Sequence, residues 1–478
     1  MNPLYAIVLG LIVVTLLGVS LARLGKVKTK ADYLVAGRSL PAFVLVFTLL
    51  SSWIGSGSLL GGAENAYKHG FAALWQAAGG WAGLLLIYFI APRARKFAQF
   101  TIPDMLESRY NQTARLLSVI AVLFTYTAIT SYQFIGGGDI IHLIFPSISS
   151  TNGAYILAGF VIVFTAIAGM GSVAYMDVVI GMLATVTLIV ALPVLIHLAG
   201  GWSGVHAALP ATHFQLFGDI HPINAAELFL PTCLLMLGNQ SMYQKFFSAK
   251  TERDATLAVG GWMFGTVVLE TVIVGVAVAG SALFRTGEVS EHPREILAYT
   301  ATHAFNGSPV LSVLGALLVG SIFAKVVSTA NNYLFSPATN IVNDLFVRYM
   351  RPEAGNKEIL AVSRFMVVLL GLWALLQALH IKSVLAMSLY AYTIYAAGLT
   401  PVVLAAFFWK RATSAGAVAS IAAGTAVTVG WQYLTPHLPQ VLAQRDAILP
   451  AMLLSVLSLL IVSLMTTAPS EEKLRPFA

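Results

Sequence analysis

The sequence has few charged residues and almost no cysteine for its length. Asp, Glu, Lys and Arg make up 10% of the 478 residues, whereas a soluble domain carries about 25%. So few charges cannot cover the surface of a water-soluble protein of this size. This excludes a soluble enzyme and a nucleic-acid-binding protein, although the formal net charge is +7. The single cysteine, Cys233, excludes a disulfide framework and a zinc site built from cysteines.

Long hydrophobic runs fill most of the chain instead, and 58% of the residues are hydrophobic. A run of about 20 apolar residues crosses a bilayer as a helix. The sequence therefore predicts an all-α integral membrane protein with about thirteen transmembrane helices. The predicted spans lie near 3–23, 41–63, 71–92, 114–143, 153–169, 173–199, 226–246, 257–284, 308–346, 359–380, 384–409, 413–434 and 446–467. The ninth run is too long for one simple span, so we expect a re-entrant or surface helix within it.

The basic residues predict the orientation in the membrane, because Lys and Arg concentrate in cytoplasmic loops. With the N-terminus outside, 21 of the 27 Lys and Arg fall in inside loops and five fall in outside loops, while Lys325 lies within a span. We therefore expect a multi-pass protein of the cell inner membrane with a cytoplasmic C-terminus. The first span lacks a small-residue cleavage site and precedes Arg23, Lys26 and Lys28, which favours a retained span over a signal peptide.

Two spans are interrupted by polar and small residues. The second span contains SSWIGSGS at 51–58, and the seventh contains Pro231 followed by LGNQSMYQ at 237–244. Glycine costs about 1 kcal/mol in a helix interior, so these segments favour unwound backbone, although a helix-packing face of small residues gives a similar pattern. The second segment lies five spans after the first, which places the two at corresponding positions of two inverted halves. Paired interruptions of this kind are typical of transporter binding sites.

These features predict five regions along the chain. They are 1–40, an extra N-terminal span with a cytoplasmic loop; 41–199, a first inverted repeat of five spans; 200–225, an extracellular loop; 226–409, a second inverted repeat of five spans; and 410–478, two C-terminal spans with a cytoplasmic tail.

Polar residues within the spans extend the candidate site. Lys325, Ser328 and Thr329 of the ninth span are spaced i, i+3, i+4 and share one helix face. Hydroxyl and carbonyl oxygens are the ligands that hard cations prefer. A simpler alternative for Ser and Thr is a hydrogen bond to the preceding turn of their own helix.

Charged residues within spans indicate function and need a partner. Asp177 of the sixth span and Lys325 are the expected pair. Asp139 and Glu270 are further candidates, and nothing in the sequence places them near that pair.

Four motifs resemble those of the sodium:solute symporter family, and the resemblance covers nearly the whole chain. FTIPDMLESRY at 100–110 is similar to the family's cytoplasmic signature, and VAYMDVV at 173–179 is similar to its "AVAYTDVVQ" run. The segment 239–250 resembles the seventh-span pattern of the sugar-transporting members. The ninth-span pattern matches at 327–330 and 343–345. The chain is identified by these motifs as a member of that family.

The resemblance implies a leucine-transporter-type core of five plus five inverted spans with two broken helices. It implies a secondary active transporter, not an enzyme, that imports a small polar organic solute by alternating access. Sodium is the expected coupling ion and cofactor, and the expected partners are the solute and membrane lipid, with no nucleic acid.

Carried over by position, the family's sodium site consists of backbone carbonyls and side-chain hydroxyls. The carbonyls belong to Ser51, Ile54 and Lys325, and the hydroxyls to Ser328 and Thr329. Asp177 matches a nearby carboxylate that the family uses to tune sodium binding.

Lys325 departs from the family pattern, which has a small residue at this position. Two unit charges 4 Å apart interact by about 4 kcal/mol at an effective dielectric of 20, so an ammonium group here would repel a sodium ion or replace it. Lys325 turned toward Asp177 would act as a built-in cation and give a proton-coupled or cation-independent transporter. Alternatively, its side chain extends to an aqueous vestibule and the sodium site works normally.

The solute pocket is expected beside the two interruptions, near the membrane midplane. The candidate residues are Trp53, Gly57, Ser58, Trp75, Gln76, Gln133, Asn239, Tyr243 and Tyr390. Asn239 matches a sugar-contacting Asn of galactose-transporting family members. The sequence leaves four solute classes open: an amino acid, a small carboxylate, a sugar or another polar solute. A solute sensor without transport is the competing class, but the short tail after Ala468 is not a signalling domain.

Overall fold

The computed structural model describes residues 3–24, 29–96 and 101–477, and it is helical throughout. Lys26 and Lys28, which the sequence places after the first span, lie outside the described residues. Within the described residues, the only strand-like pairing is an isolated bridge between Leu40 and Ala249.

In the described part of the chain, apolar helices occur along the regions predicted as spans, and two of them, Pro3–Val19 and Ala42–Trp53, are shorter than the rest. Ten helical stretches are long and apolar enough to cross a membrane, which confirms an all-α multi-pass membrane protein. In chain order, the helices are α1 Pro3–Leu24, α2a Ala42–Trp53, α2b Gly57–Gly62 continuing through Ala63–His69, α3 Leu74–Ile87, α4 Gln112–Ile144, α5 Ser150–Ile167, α6 Met170–Leu198, α7a Pro222–Gly238, α7b Gln240–Ser248, α8 Glu252–Leu283, α9 Pro309–Asn340, α10 Asn356–Ala378, α11 Val384–Gly398 continuing through Thr400–Phe408, α12 Ser414–Leu434 and α13 Ile448–Met465.

Helix α9 contains no re-entrant segment, so that expectation is wrong. It continues as a π-helix over Ile341–Met350, and the two parts form one apolar stretch of 42 residues. At 1.5 Å per residue this is roughly 60 Å, about twice the hydrocarbon thickness of a bilayer. The helix therefore extends beyond the hydrocarbon layer, and its polar end contributes Asp344 to an ion-pair cluster described below.

The second helix is interrupted where the sequence predicts. Helix α2a ends at Trp53, and Ile54 has extended backbone (φ −84°, ψ 94°). The backbone N–H of Ser56 donates to Oε1 of Gln133 at 2.8 Å. Gly55 packs so closely on α9 that a β-carbon there would lie 2.5 Å from Oγ1 of Thr329. A residue without a side chain is therefore needed for the interruption to reach α9.

The seventh helix is also interrupted, but at Asn239 and not at Pro231. Pro231 lies inside α7a, whereas Asn239 has extended backbone (φ −64°, ψ 111°). The Asn239 side chain accepts hydrogen bonds from the N–H groups of Ser241 and Met242, which begin α7b. Asn is a preferred N-cap residue because its side-chain oxygen satisfies such free amides. The cap therefore lets a new helix start within the membrane.

The interrupted helices lie in the middle of the bundle. Helix α2a packs against α6, α8 and α9, and α7a packs against α3 and α11. Helix α9 also contacts α1, α4 and α6, while α12 and α13 pack mainly on each other. The interruption of α2 is thus enclosed by α6 and α9, which carry the charged residues singled out in the sequence.

Candidate functional site

The interruption of α2 faces the hydroxyl groups of α9. Oγ1 of Thr329 donates to the carbonyl oxygen of Ser51 at 2.9 Å and contacts that of Ile54 at 3.4 Å. Oγ of Ser328 lies 3.5 Å from the Ser51 carbonyl oxygen. Lys325 precedes these residues by one helical turn on the same face. The structure therefore brings together the residues that the family resemblance implies for a cation site.

The Lys325 side chain points into this site and is fully buried. Its Nζ donates to Oγ of Ser51 at 3.1 Å, and that hydroxyl contacts the backbone oxygen of Asp177 at 3.2 Å. The side chain does not extend to an aqueous vestibule, so that expectation is wrong. Among the described residues, Lys325 and Asp177 do not form a direct ion pair, and Ser51 lies between them.

The Asp177 carboxylate is fully buried and accepts hydrogen bonds from three neutral side chains. Oγ1 of Thr48 donates to Oδ2 at 2.5 Å, and Nδ2 of Asn332 donates to the same oxygen at 3.2 Å. The hydroxyl of Ser328 donates to Oδ1. Because Ser328 is also a predicted cation ligand, Asp177 contacts the candidate site directly.

A second buried lysine, Lys245 on α7b, completes the arrangement. It lies near the end of the predicted seventh span, and its side chain is fully buried. Its Nζ donates to Oδ1 of Asn332 at 2.9 Å and contacts Oγ of Ser241 at 3.1 Å. Two apolar residues, Phe246 and Phe247, follow Lys245 in the sequence. They were the available sequence signal that this lysine is buried. Lys325, Ser51, Asp177, Asn332 and Lys245 form one connected group, here called the polar cluster.

A small cavity lies on the other side of the α2 interruption. In this conformation it holds about one water molecule, with a volume of about 20 Å³. Its lining residues are Trp53, Ser58, Gly62, Ala73, Gln76, Ala77, Thr232, Glu270, Ile273, Val274 and Tyr392. The rings of Trp53 and Tyr392 stack with their centroids 6.3 Å apart. Three predicted pocket residues, Trp53, Ser58 and Gln76, line this cavity, which we call the aromatic cavity.

Four other predicted pocket residues support the interrupted helices. Gln133 binds the Ser56 amide, and Gly57 lies where a β-carbon would be 2.6 Å from the Tyr392 hydroxyl. Asn239 accepts from the hydroxyl of Tyr126 at 2.7 Å and donates to that of Tyr333 at 2.9 Å. The Tyr243 hydroxyl donates to the Leu237 backbone oxygen at 3.0 Å. Gln133, Asn239 and Tyr243 therefore each bind a protein partner next to an interruption, while Nε2 of Gln133 is buried without one.

Two predicted pocket residues lie elsewhere. The indole N–H of Trp75 donates to the backbone oxygen of Leu216, and its ring stacks on Phe217 in the predicted extracellular loop. Tyr390 lines an outer groove with Trp373, whereas Tyr392 lines the aromatic cavity. Residues two apart on a helix point about 200° apart, so Tyr390 and Tyr392 face nearly opposite sides of α11.

Asp139 and Glu270 have separate surroundings. Asp139 pairs with Arg294 at 2.9 Å, which satisfies its charge away from the polar cluster. Glu270 lies on the aromatic cavity, where the indole N–H groups of Trp53 and Trp81 donate to its two carboxylate oxygens, each at 2.9 Å. Sequence reasoning could not supply these partners, because they come from α2a and α3.

The described part of the family signature, residues 101–110, has a structural role. Thr101 caps the short helix Ile102–Arg109, which presents Asp104 and Glu107 to the buried Arg115 of α4. Arg115 also pairs with Asp344 of α9 at 2.7 Å. We call this group the Arg115 cluster. Its ion pairs link α4 to the C-terminal end of α9.

Comparisons with solved structures show the fold. A sodium-coupled sialic acid symporter, solved in a substrate-bound outward-open state, superposes with a TM-score of 0.82 at 14% identity, covering 98% of both chains. The transporter MhsT, solved in complex with L-phenylalanine, gives a TM-score of 0.58 at 13% identity, covering 88% of this chain and 97% of MhsT. These likenesses confirm the fold class predicted above.

Sequence comparisons give relatives over the same length. The high-affinity proline transporter PutP of Bacillus subtilis is 27% identical over 464 residues, which cover 92% of this chain and 93% of PutP. A sodium/proline symporter of Staphylococcus aureus is 25% identical over 462 residues, which cover 92% and 88% of the two chains. The model of the sodium:solute symporter family matches residues 33–424. The chain belongs to the sodium:solute symporter family.

Proposed function

We propose that this protein imports a small polar organic solute by alternating access, with sodium as the coupling ion. The observation that carries the proposal is the meeting of the Ser51 and Ile54 carbonyl groups with the Thr329 hydroxyl at the α2 interruption. Oxygen ligands of this kind suit a hard cation. Its membership of a family of sodium-coupled transporters supports sodium as that cation.

The proposed orientation places the N-terminus outside and the C-terminus in the cytoplasm of the cell inner membrane. The excess of Lys and Arg in alternate loops supports it. In this orientation the Arg115 cluster lies at the cytoplasmic end of the bundle, and the loop that contacts Trp75 lies outside.

The aromatic cavity is the proposed solute site. With room for about one water molecule, it must enlarge before a solute binds. The stacked rings of Trp53 and Tyr392 lie on its wall, so their separation is the proposed local step of opening. The interruptions at Ile54 and Asn239 supply the backbone joints about which α2b and α7b move against the rest of the bundle.

A second candidate function keeps solute transport but replaces sodium with Lys325. The observation that favours it is the buried Nζ of Lys325, 3.1 Å from Oγ of Ser51. Together with Lys245 and Asp177, the polar cluster carries two ammonium groups and one carboxylate when all are ionised. An added cation 4 Å from an ammonium group would be repelled by about 4 kcal/mol, or roughly a thousandfold in affinity. Transport would then depend on protons or on the solute gradient alone.

Uptake in proteoliposomes distinguishes the two candidates. The wild-type protein and Lys325→Ala are tested with a panel of amino acids, sugars and small carboxylates, with sodium and proton gradients imposed separately. Sodium coupling predicts wild-type uptake that rises with the inward sodium gradient. The built-in cation predicts uptake that ignores sodium in the wild type and gains sodium dependence in Lys325→Ala.

Lys382→Ala serves as the matched control, since Lys382 is exposed between α10 and α11 and its loss changes the net charge by the same amount. If neither gradient nor any solute of the panel produces uptake in the wild type, the proposal of secondary active transport is wrong. If Lys325→Ala and wild type respond identically to sodium, Lys325 has no role in coupling.

A further inference from the structure

The Glu270 carboxylate is a buried charge facing the aromatic cavity, and the cation site does not use it. It is 5% exposed and lies on α8, on the other side of the α2 interruption from the polar cluster. Its oxygen atoms accept from Trp53, Trp81 and, at a longer 3.4 Å, Ser58. A charge within a membrane helix is costly and indicates function.

The hydrogen bonds around Glu270 suit its ionised form. Trp53 and Trp81 donate to different carboxylate oxygens, and an indole N–H can only donate. In a protonated carboxyl group one indole would face a hydroxyl oxygen, which accepts a weaker hydrogen bond than a carboxylate oxygen does. Among the described residues, no Lys or Arg pairs with Glu270. The Glu270 carboxylate can therefore bind a positively charged ligand, because no described residue neutralises it.

Two further polar side chains of the cavity, Gln76 and Thr232, offer oxygen atoms that can accept hydrogen bonds. Oε1 of Gln76 is buried and lacks a hydrogen-bond partner, and it lines the same cavity. The Thr232 hydroxyl donates to the Leu228 backbone oxygen, which leaves its own oxygen lone pairs free to accept. An ammonium group has two or three N–H donors and no acceptor. The oxygen atoms of Glu270, Gln76 and Thr232 can together accept the hydrogen bonds of such an ammonium group.

The walls of the cavity favour an organic cation over a metal ion. Trp53 and Tyr392 present aromatic rings, whose faces attract ammonium groups. A hard metal ion would instead require a shell of oxygen ligands, and indole N–H groups cannot supply it. No basic residue lines the cavity, and the Ser56 amide at the start of α2b is already bound to Gln133. An anionic solute would therefore meet Glu270 without a compensating charge.

We propose that the transported solute carries a positively charged amine, and that Glu270 binds this ammonium group in the aromatic cavity. The proposal rests on the proposed transport function and specifies its substrate class. It includes zwitterionic amino acids, in which the ammonium group faces Glu270. It excludes sugars and simple carboxylates as the preferred solutes. A like charge about 4 Å from Glu270 would weaken binding roughly a thousandfold at an effective dielectric of 20.

Binding to the purified full-length protein in nanodiscs tests the proposal with three matched probes: prolinamide, a cation; proline, a zwitterion; and N-acetylproline, an anion. The amino acids, polyamines, choline and neutral sugars complete the panel. We expect the compounds that bind to carry an ammonium group and N-acetylproline to fail. Glu270→Gln should weaken every such compound by at least about thirtyfold, because it removes the buried opposite charge, while Glu270→Asp should keep part of the affinity.

Asp139→Asn is the matched control, since it also removes a buried carboxylate but one that pairs with Arg294 outside the cavity. Thermal unfolding of each variant checks that the fold survives. The proposal is overturned if sugars or carboxylates bind and ammonium compounds do not, if no ammonium compound of the panel binds, or if Glu270→Gln binds them as tightly as the wild type. It is also overturned if Glu270→Gln abolishes the binding of sodium alone.

The same preparation separates this inference from the proposed function. Gradient-driven uptake of an uncharged solute would leave the transporter intact and reject the role of Glu270. Tight binding of an ammonium probe with no uptake under any gradient would support the role of Glu270 and reject the proposed transport function.

Discussion

At the scale of single residues, the candidate site depends on close contacts that one added methyl group would break. Gly55→Ala is the sharpest case, because the new β-carbon would lie 2.5 Å from Oγ1 of Thr329. Overpacking of this kind costs about 1–3 kcal/mol, and here it would push the Ser51 and Ile54 carbonyls away from α9. We expect a lower unfolding temperature and a loss of solute uptake, measured on the same purified protein.

Gly18→Ala on α1 is the control for this prediction, because nothing lies within 4 Å of a β-carbon at that position. It should keep both stability and uptake. Equal behaviour of the two variants would show that the contact between Gly55 and Thr329 is dispensable.

Some residues of the site could be predicted from sequence and others could not. Ser328 and Thr329 stand out because hydroxyl groups are conspicuous in apolar spans, whereas the Ser51 carbonyl was implied by the resemblance to the family. Lys245 does not, because it lies near the end of a span, where a solvated lysine is the usual arrangement. Glu270 is visible as a charge, but its partners come from α2a and α3. Contacts between distant spans depend on helix rotation, which the hydrophobic runs of buried helices do not fix.

At the scale of elements, the interruption of α7 depends on one side chain. Asn239 caps α7b and bonds to the hydroxyls of Tyr126 and Tyr333. In Asn239→Ala we expect the loss of the cap, about 0.5–2 kcal/mol, and a further cost of about 1–3 kcal/mol because the buried Tyr333 hydroxyl loses its partner. Thermal unfolding should show the sum of these two losses in stability. Uptake should fall because α7b loses its fixed starting point.

Asn111 allows a matched comparison, since its side chain caps α4 in the same way by accepting from the Ala114 amide. Asn111→Ala should lose only the cap energy and keep uptake. A loss of uptake as large as that of Asn239→Ala would assign the effect to helix capping in general and not to the interrupted helix.

The interruptions also show why elements were easier to predict than the residues they position. Gly and Asn contrast with the apolar runs around them, so the two breaks were readable near Gly55 and Asn239. Pro231 was part of the second signal, yet it lies inside α7a, because neighbouring helices in a membrane bundle tolerate a proline. Trp75 lies at the start of α3, but the predicted extracellular loop packs over it.

At the scale of the whole molecule, the Arg115 cluster and the aromatic cavity occupy separate levels of one bundle. The cluster joins α4, the helix Ile102–Arg109 and α9 through buried ion pairs. Removing one member of a buried pair costs about 3–5 kcal/mol, since the remaining charges lose their partner. Arg115→Ala should therefore release the end of α9 and favour conformations open to the cytoplasm.

Thiol labelling measures this opening. Cys233 is the single cysteine, so a Cys233→Ser background leaves no native thiol. Ser336→Cys then places a probe at a fully buried position of α9, between the polar cluster and Asp344 in the sequence. Arg115→Ala should speed its reaction with a water-soluble maleimide. Arg351→Ala removes only an exposed ion pair with Glu358. It should leave the reaction rate unchanged, because exposed ion pairs contribute little to stability. Equal rates in Arg115→Ala and the parent protein would mean that closure on this side depends on helix packing alone.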